Sequence, residues 1–178
     1  MRGGLSAARS VALIGVMAAT LECAKLALAA LPNIEVVTIL LALYGYVFGL
    51  HGVAAAYVFV MIEPVIWGVG SWVISYLLYW PTVAFVFMLL GRARVRKRTT
   101  LTGAALLLTL IFSILTSLVD VGLFMGYFDR FFYRFGIYYL RGIPFYLAQL
   151  ITNAVLFPIL FLPAENKIKG LVKFDRKS

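Results

Sequence analysis

Long apolar runs alternate with short polar breaks along the whole chain. Apolar residues extend from Ser10 to Leu31, Val36 to Phe48, Val53 to Trp67, Ser71 to Leu90, Leu101 to Met125 and Leu140 to Leu162. The breaks carry turn-forming or charged residues: Pro32, Asn33 and Glu35, then Gly49, His51 and Gly52, then Gly68 and Gly70. A helix needs about 20 apolar residues to cross a bilayer. The pattern therefore predicts six transmembrane helices, at 10–31, 36–48, 53–67, 71–90, 101–125 and 140–162, in a single membrane domain over residues 1–178. The second and third are shorter than a full span and are expected to tilt or to extend into the neighbouring turns. Gly126 to Tyr139 reads as an aromatic, charged loop, and Glu165 opens a basic tail.

Composition agrees with the pattern. Of 178 residues, 63% are hydrophobic and 13% charged, and the mean hydropathy is +1.00. A soluble domain of this size cannot hide so much apolar surface in one core, so the expected fold class is an all-α integral membrane protein. The basic start, apolar first run and small residues Ala27 to Ala30 also resemble a signal peptide. Cleavage there would leave too few helices to keep the basic clusters on one side.

A net charge of +9 raises nucleic acid as a partner. The cations, however, flank apolar runs instead of forming a polar domain, which argues against it. Arg2 and Arg9 precede the first run; Arg92, Arg94, Arg96, Lys97 and Arg98 follow the fourth; Lys167, Lys169, Lys173, Arg176 and Lys177 lie in the tail. With six helices these three groups share one side and hold 12 of the 16 Lys and Arg, against Arg130, Arg134 and Arg141 on the other. By the positive-inside rule both termini are expected to be cytoplasmic.

Few residues offer chemistry. Cys23 sits in an apolar run and His51 between glycine-bounded helices, so the first reads as a packing residue and the second as part of a tight turn. No disulfide framework, metal site, catalytic triad or phosphate loop is expected, and neither a cofactor nor ATP hydrolysis by this chain. Glu22 and Lys25, three apart on the first helix, are close enough to pair, and a lone charge at mid-membrane costs about 2.5–3.5 kcal/mol on insertion scales. Glu63 precedes Pro64, Asp120 continues a stripe of Thr109, Ser113 and Ser117, and Gln149 and Asn153 are four apart. The hydroxyls and amides suit contacts between helices, whereas the carboxylates point to a water-filled or ligand-lined cavity.

Two further features bear on binding. Ala8, Ala12, Gly15 and Ala19 align as a strip free of bulky side chains, which serves either internal packing or close approach of a partner helix. Tyr127, Phe128, Asp129, Arg130, Phe131, Phe132, Tyr133, Arg134, Phe135, Tyr138 and Tyr139 form either an interfacial belt or a ligand site. The arginines stand on the unfavoured side. A ligand explains them, since rings stack on flat groups while Arg and Asp fix polar ones. Three polar breaks reach this side, so ligand is expected between Asn33, Glu35, Glu63, Trp67, Trp72 and the segment contributing Tyr127, Asp129, Arg130, Tyr133, Arg134, Tyr139 and Arg141.

About six short helices with these polar loops resemble the S component of energy-coupling-factor (ECF) transporters. The resemblance rests on the helix-one strip, on Pro32-Asn33-Ile34-Glu35-Val36-Val37-Thr38, on Tyr44-Gly45-Tyr46-Val47-Phe48-Gly49, on Glu63, on Trp67 to Trp72 with Tyr76 and Trp80, and on Gly142-Ile143-Pro144-Phe145. It implies a binding subunit that captures a vitamin at the outer face, docks on a membrane T component through Ala8, Ala12, Gly15 and Ala19, and topples when two ATPase subunits act. The branch it most resembles implies cobalamin; folate, pantothenate or a queuosine precursor also suit an aromatic outer loop. Outside the family, a stand-alone secondary transporter would use Glu22, Glu63 and Asp120 to couple protons. A membrane enzyme would use Glu63 and Asp120 as acid and base but lacks a nucleophile or metal set.

Overall fold

The computed structural model describes residues 6–31, 34–126 and 130–175, with side chains described as far as residue 171. The described residues are all-helical apart from turns. Six α-helices follow one another: α1 Ala7–Ala27, α2 Val37–Phe48, α3 Leu50–Trp67, α4 Trp72–Arg92, α5 Arg98–Val119 and α6 Phe131–Asp175, with a π-helical turn Asp120–Phe124 extending α5. Five are long and apolar enough to cross a membrane; α2 is the exception.

At 12 residues α2 spans about 18 Å, well short of a hydrocarbon core of about 30 Å. It survives because it is the inner helix. Nine of its residues are buried, and it packs against α1, α3, α4 and α6. Backbones meet closely here, since Cβ atoms added at Gly45, Gly52 and Gly91 would overlap the main chain of Ala84, Tyr44 and Tyr46 respectively. Where lipid removes most of the hydrophobic drive between helices, such close van der Waals approach supplies the cohesion. Around it lie the fully buried rings Phe59, Tyr79, Phe87, Phe157 and Phe161.

Several sequence expectations change. The predicted turn at Gly49, His51 and Gly52 contracts to Gly49, whose φ of 63° makes the reversal alone. His51 and Gly52 belong to α3, which thereby reaches 18 residues, and His51 Nε2 meets Ser10 Oγ at 3.1 Å instead of forming a turn. Helix α1 starts earlier than expected, capped by Ser6, and ends at Ala27 instead of Leu31. The largest correction concerns the aromatic loop and basic tail. From Phe131 to Asp175 the chain is one helix of 45 residues, about 68 Å long, more than twice the thickness of about 30 Å of a hydrocarbon core. Phe131, Phe135 and Tyr139 recur every fourth residue and stack at 6.0 and 5.7 Å, a helical face where composition suggested a loop.

The polar stripe of α5 serves helix pairing. Thr109 Oγ1 accepts from Asn153 Nδ2 at 3.0 Å, Ser113 meets Tyr139 OH at 3.2 Å, Ser117 meets Tyr146 OH at 3.0 Å, and Asp120 accepts from Tyr138 OH. Asp120 thus faces α6 and lines no ligand cavity with the other carboxylates, contrary to its expected role.

One end of the bundle is basic and tied together. Arg96 Nη1 donates to both oxygens of the buried Glu165 at 3.0 Å, Arg96 Nη2 donates to Asn166 at 2.9 Å, and Lys169 reaches Glu165 at 2.5 Å. Tyr46 OH donates to Val95 O at 2.9 Å. The cluster after α4 and the far part of α6 therefore share an end, as the six-helix alternation expects. Arg2, Arg176 and Lys177 lie outside the described residues.

Candidate ligand-binding site

Opposite the basic end, the last turns of α1 and α3, the first turns of α2 and α4, and mid-helix residues of α5 and α6 enclose a cavity of about 350 Å³. Its position follows from local sequence. Gly68, at φ 79°, and Gly70 end α3 and start α4 within four residues, bringing Trp67 and Trp72 to the same mouth. Tyr76 and Trp80 follow Trp72 at intervals of four, so one face of α4 becomes a wall of rings. Trp72 and Tyr76 pack edge-on at 5.0 Å, Tyr76 and Trp80 at 5.5 Å, and Phe112 closes against Tyr76 at 6.1 Å. All three tryptophans of the chain line this cavity.

The polar groups come from four other helices or helix starts. Glu35, just before α2, accepts from Thr38 N at 2.8 Å, from Thr38 Oγ1 and from Gln149 Nε2 at 3.3 Å. A carboxylate at a helix N-terminus also meets the positive end of the helix dipole. Lys25, three residues from Glu22, is expected either to pair with it or to face a cavity. It crosses to Glu63 on α3 and lies 5.0 Å from the Tyr76 ring centre, 5.6 Å from Trp67 and 5.9 Å from Phe59. Stacked rings and a buried carboxylate hold an ammonium better than a neighbour one turn away.

The anticipated site is thus only partly assembled. Glu35, Glu63, Trp67 and Trp72 converge on the cavity. The cationic half does not: Arg134 and Arg141 line a second cavity of about 500 Å³ with Met125, Tyr138, Phe145 and Tyr146, and the two cavities have no lining residue in common. Arg134 Nη2 donates to Gly126 O at 3.1 Å. Tyr133 is 70% exposed, Arg130 is exposed with φ 46°, and Tyr139 is engaged with Ser113. Helical winding of Phe131 to Arg141 carries these side chains around the axis, where a loop would have left them free to converge. Asn33, Tyr127 and Asp129 lie outside the described residues.

Five polar or aromatic members of the wall lie outside the expected ligand set: Lys25, Tyr76, Trp80, Phe112 and Gln149. Lys25 reads as a residue that pairs with Glu22 or faces a cavity, and Tyr76 and Trp80 enter only as part of a resemblance, although their spacing from Trp72 marks a common face. Gln149, read as contact between helices, both bonds Glu35 and lines the cavity.

The strip Ala8, Ala12, Gly15 and Ala19 is exposed throughout. A Cβ at Gly15 would meet nothing within 4 Å, and the flanking Val11 and Val16 are 71% and 65% exposed. The strip therefore serves no packing within the bundle. No protein-family model, curated protein or solved structure matches this chain.

Proposed function

We propose that the chain is the ligand-capturing S component of an ECF-type importer, with the aromatic cavity as its binding site and the exposed face of α1 as its docking surface. The observation that carries the reading is the pairing of these two features on one small helical bundle. A cavity lined by five aromatic side chains and a few placed polar groups at one end suits a small molecule. An outward strip of small residues on a span-length helix suits close approach of another membrane helix.

The positive-inside rule puts the basic end in the cytoplasm and the cavity on the outer side of a prokaryotic cell membrane, where capture requires it. Cobalamin is the ligand the resemblance suggests. A cavity of about 350 Å³ is near the lower end for small-molecule sites, so a compact vitamin-class molecule with a flat ring fits it better than a corrinoid, most of which would stay outside. ATP hydrolysis belongs to partner subunits in this reading, and the chain itself is no enzyme.

Co-expression with a T component and two ATPases tests the proposal: the four should purify together through a tag on this chain. Gly15→Leu adds bulk where this fold leaves open space, so it should leave the isolated subunit folded while reducing co-purification at least severalfold. Unchanged recovery would remove the docking assignment.

Orientation is open to a separate check. In a Cys23→Ser background, needed because Cys23 is exposed, Val69→Cys at the cavity end should react with an impermeant thiol reagent in intact cells. Lys97→Cys should react only after lysis. The reverse pattern would place the cavity in the cytoplasm and end the capture mechanism.

A further inference from the structure

The cavity's charges do not balance. Glu63 is fully buried; Lys25 takes one of its oxygens, and Oε1 has no hydrogen-bond partner. Glu22, 8% exposed, stands beside Glu63 and is not among the residues that line the cavity. Glu35 lines the same cavity, although its oxygens are well supplied by Thr38 and Gln149. Two carboxylates of the lining, Glu63 and Glu35, thus face one ammonium, and a buried charge short of partners is costly. Among the described residues no group of acidic, His or Cys side chains is arranged to hold a metal ion.

The rings select in the same direction. Their faces are electron-rich, and Lys25 shows that this box accommodates a cation, lying within 5.9 Å of three ring centres. The buried Trp80 Nε1, also without a partner, supplies a donor at the same wall.

Resting on the reading of this cavity as the ligand site, we propose that its ligand is a planar heterocycle bearing a positive charge, from a protonated or quaternary ring nitrogen, with a hydrogen-bond acceptor on its periphery. The ring inserts between Trp67, Trp72 and Tyr76, the charge faces Glu63, and the acceptor meets the Trp80 indole N–H. Lys25 then acts as a stand-in for the ligand's charge in the empty site, held by the same carboxylate and ring faces. An anionic ligand, such as a carboxylate-bearing vitamin, would add negative charge to a wall whose carboxylates already outnumber its single lysine.

The test uses two probes of nearly equal shape, 1-methylnicotinamide, which is permanently charged, and nicotinamide, which is neutral. Calorimetric titration into the purified full chain in detergent should show the charged ring binding about tenfold more tightly, within the range of a desolvated cation–π contact. Trp67→Ala should weaken both probes. Glu63→Gln should bring the two affinities within about twofold of each other, and Lys25→Met, which removes the competing ammonium, should keep or widen the preference. Should Glu63→Gln fail to fold, the Lys25→Met arm decides, since loss of the preference there contradicts the stand-in role. Equal affinities in the unmodified chain, or preference for the neutral ring, overturn the charge assignment and leave the cavity standing as a ring site. No saturable binding of either probe to folded protein, or binding indifferent to Trp67→Ala, overturns the cavity reading itself.

Discussion

Gly45→Leu should abolish the folded chain, whereas the same substitution at Gly15 leaves it intact. Both glycines sit inside apolar helices, which by itself does not separate them. Their surroundings do: a Cβ at Gly45 would overlap the Ala84 backbone, and one at Gly15 meets nothing within 4 Å. Adding volume to a packed interior costs about 1–3 kcal/mol where neighbours can shift. At Gly45 the neighbour is main chain on α4, so even Gly45→Ala should lower stability by about that amount and leucine should exceed what the fold can absorb. Size-exclusion chromatography and thermal unfolding in detergent would check this. A Gly45→Leu protein with the melting temperature of the unmodified chain would mean that α2 is not clamped between its neighbours.

Trp72→Ala should weaken binding of 1-methylnicotinamide by about five- to hundred-fold, the range expected for loss of one ring-stacking contact. Trp72 is placed by what surrounds it. Tyr76 packs against it at 5.0 Å, and Gly70 leaves room for the indole, since a Cβ there would lie 2.7 Å from Trp72 Nε1. Gly70→Ala should therefore weaken binding as well, by moving a ring it does not replace. Ser113→Ala, which removes a hydroxyl that donates to Leu110 O and meets Tyr139 OH on the α5–α6 seam, should leave the affinity within about twofold. Binding unaffected by Trp72→Ala and lost with Ser113→Ala would put the ligand between α5 and α6 and favour a transporter with its site inside the bundle.

How much of this was readable without coordinates depended on the range of the signal. The apolar runs marked every helix, because in lipid each backbone polar group must be satisfied within its own segment, so a long apolar stretch has no other stable form. The grouping of basic residues at one end was equally legible, and Arg96 with Glu165 shows the α4–α5 loop and the far part of α6 meeting there. The aromatic and acidic residues Glu35, Glu63, Trp67 and Trp72 were picked out because they stand beside glycine and proline breaks that come to one end of the bundle.

Tertiary structure decided which of those residues meet. A charge three residues away looked like the natural partner of Lys25, but pairing within a buried site depends on what crosses from other helices, and Glu63 with three ring faces outweighs Glu22. The arginines of the supposed outer loop resembled ligand residues because aromatic and cationic composition does not distinguish a loop from a helix. Once Phe131 to Arg141 winds as part of α6, its side chains are distributed around an axis, and Arg134 and Arg141 turn to a cavity of their own. The exposed side of the small-residue strip was likewise undetermined by spacing, which places Ala8, Ala12, Gly15 and Ala19 on one line of α1 but says nothing of what that line faces. Only the packing of α1 through Met17, Ala18 and Leu21 turns the strip outward, because a helix that buries one face against the bundle must present the opposite face to lipid or to a partner.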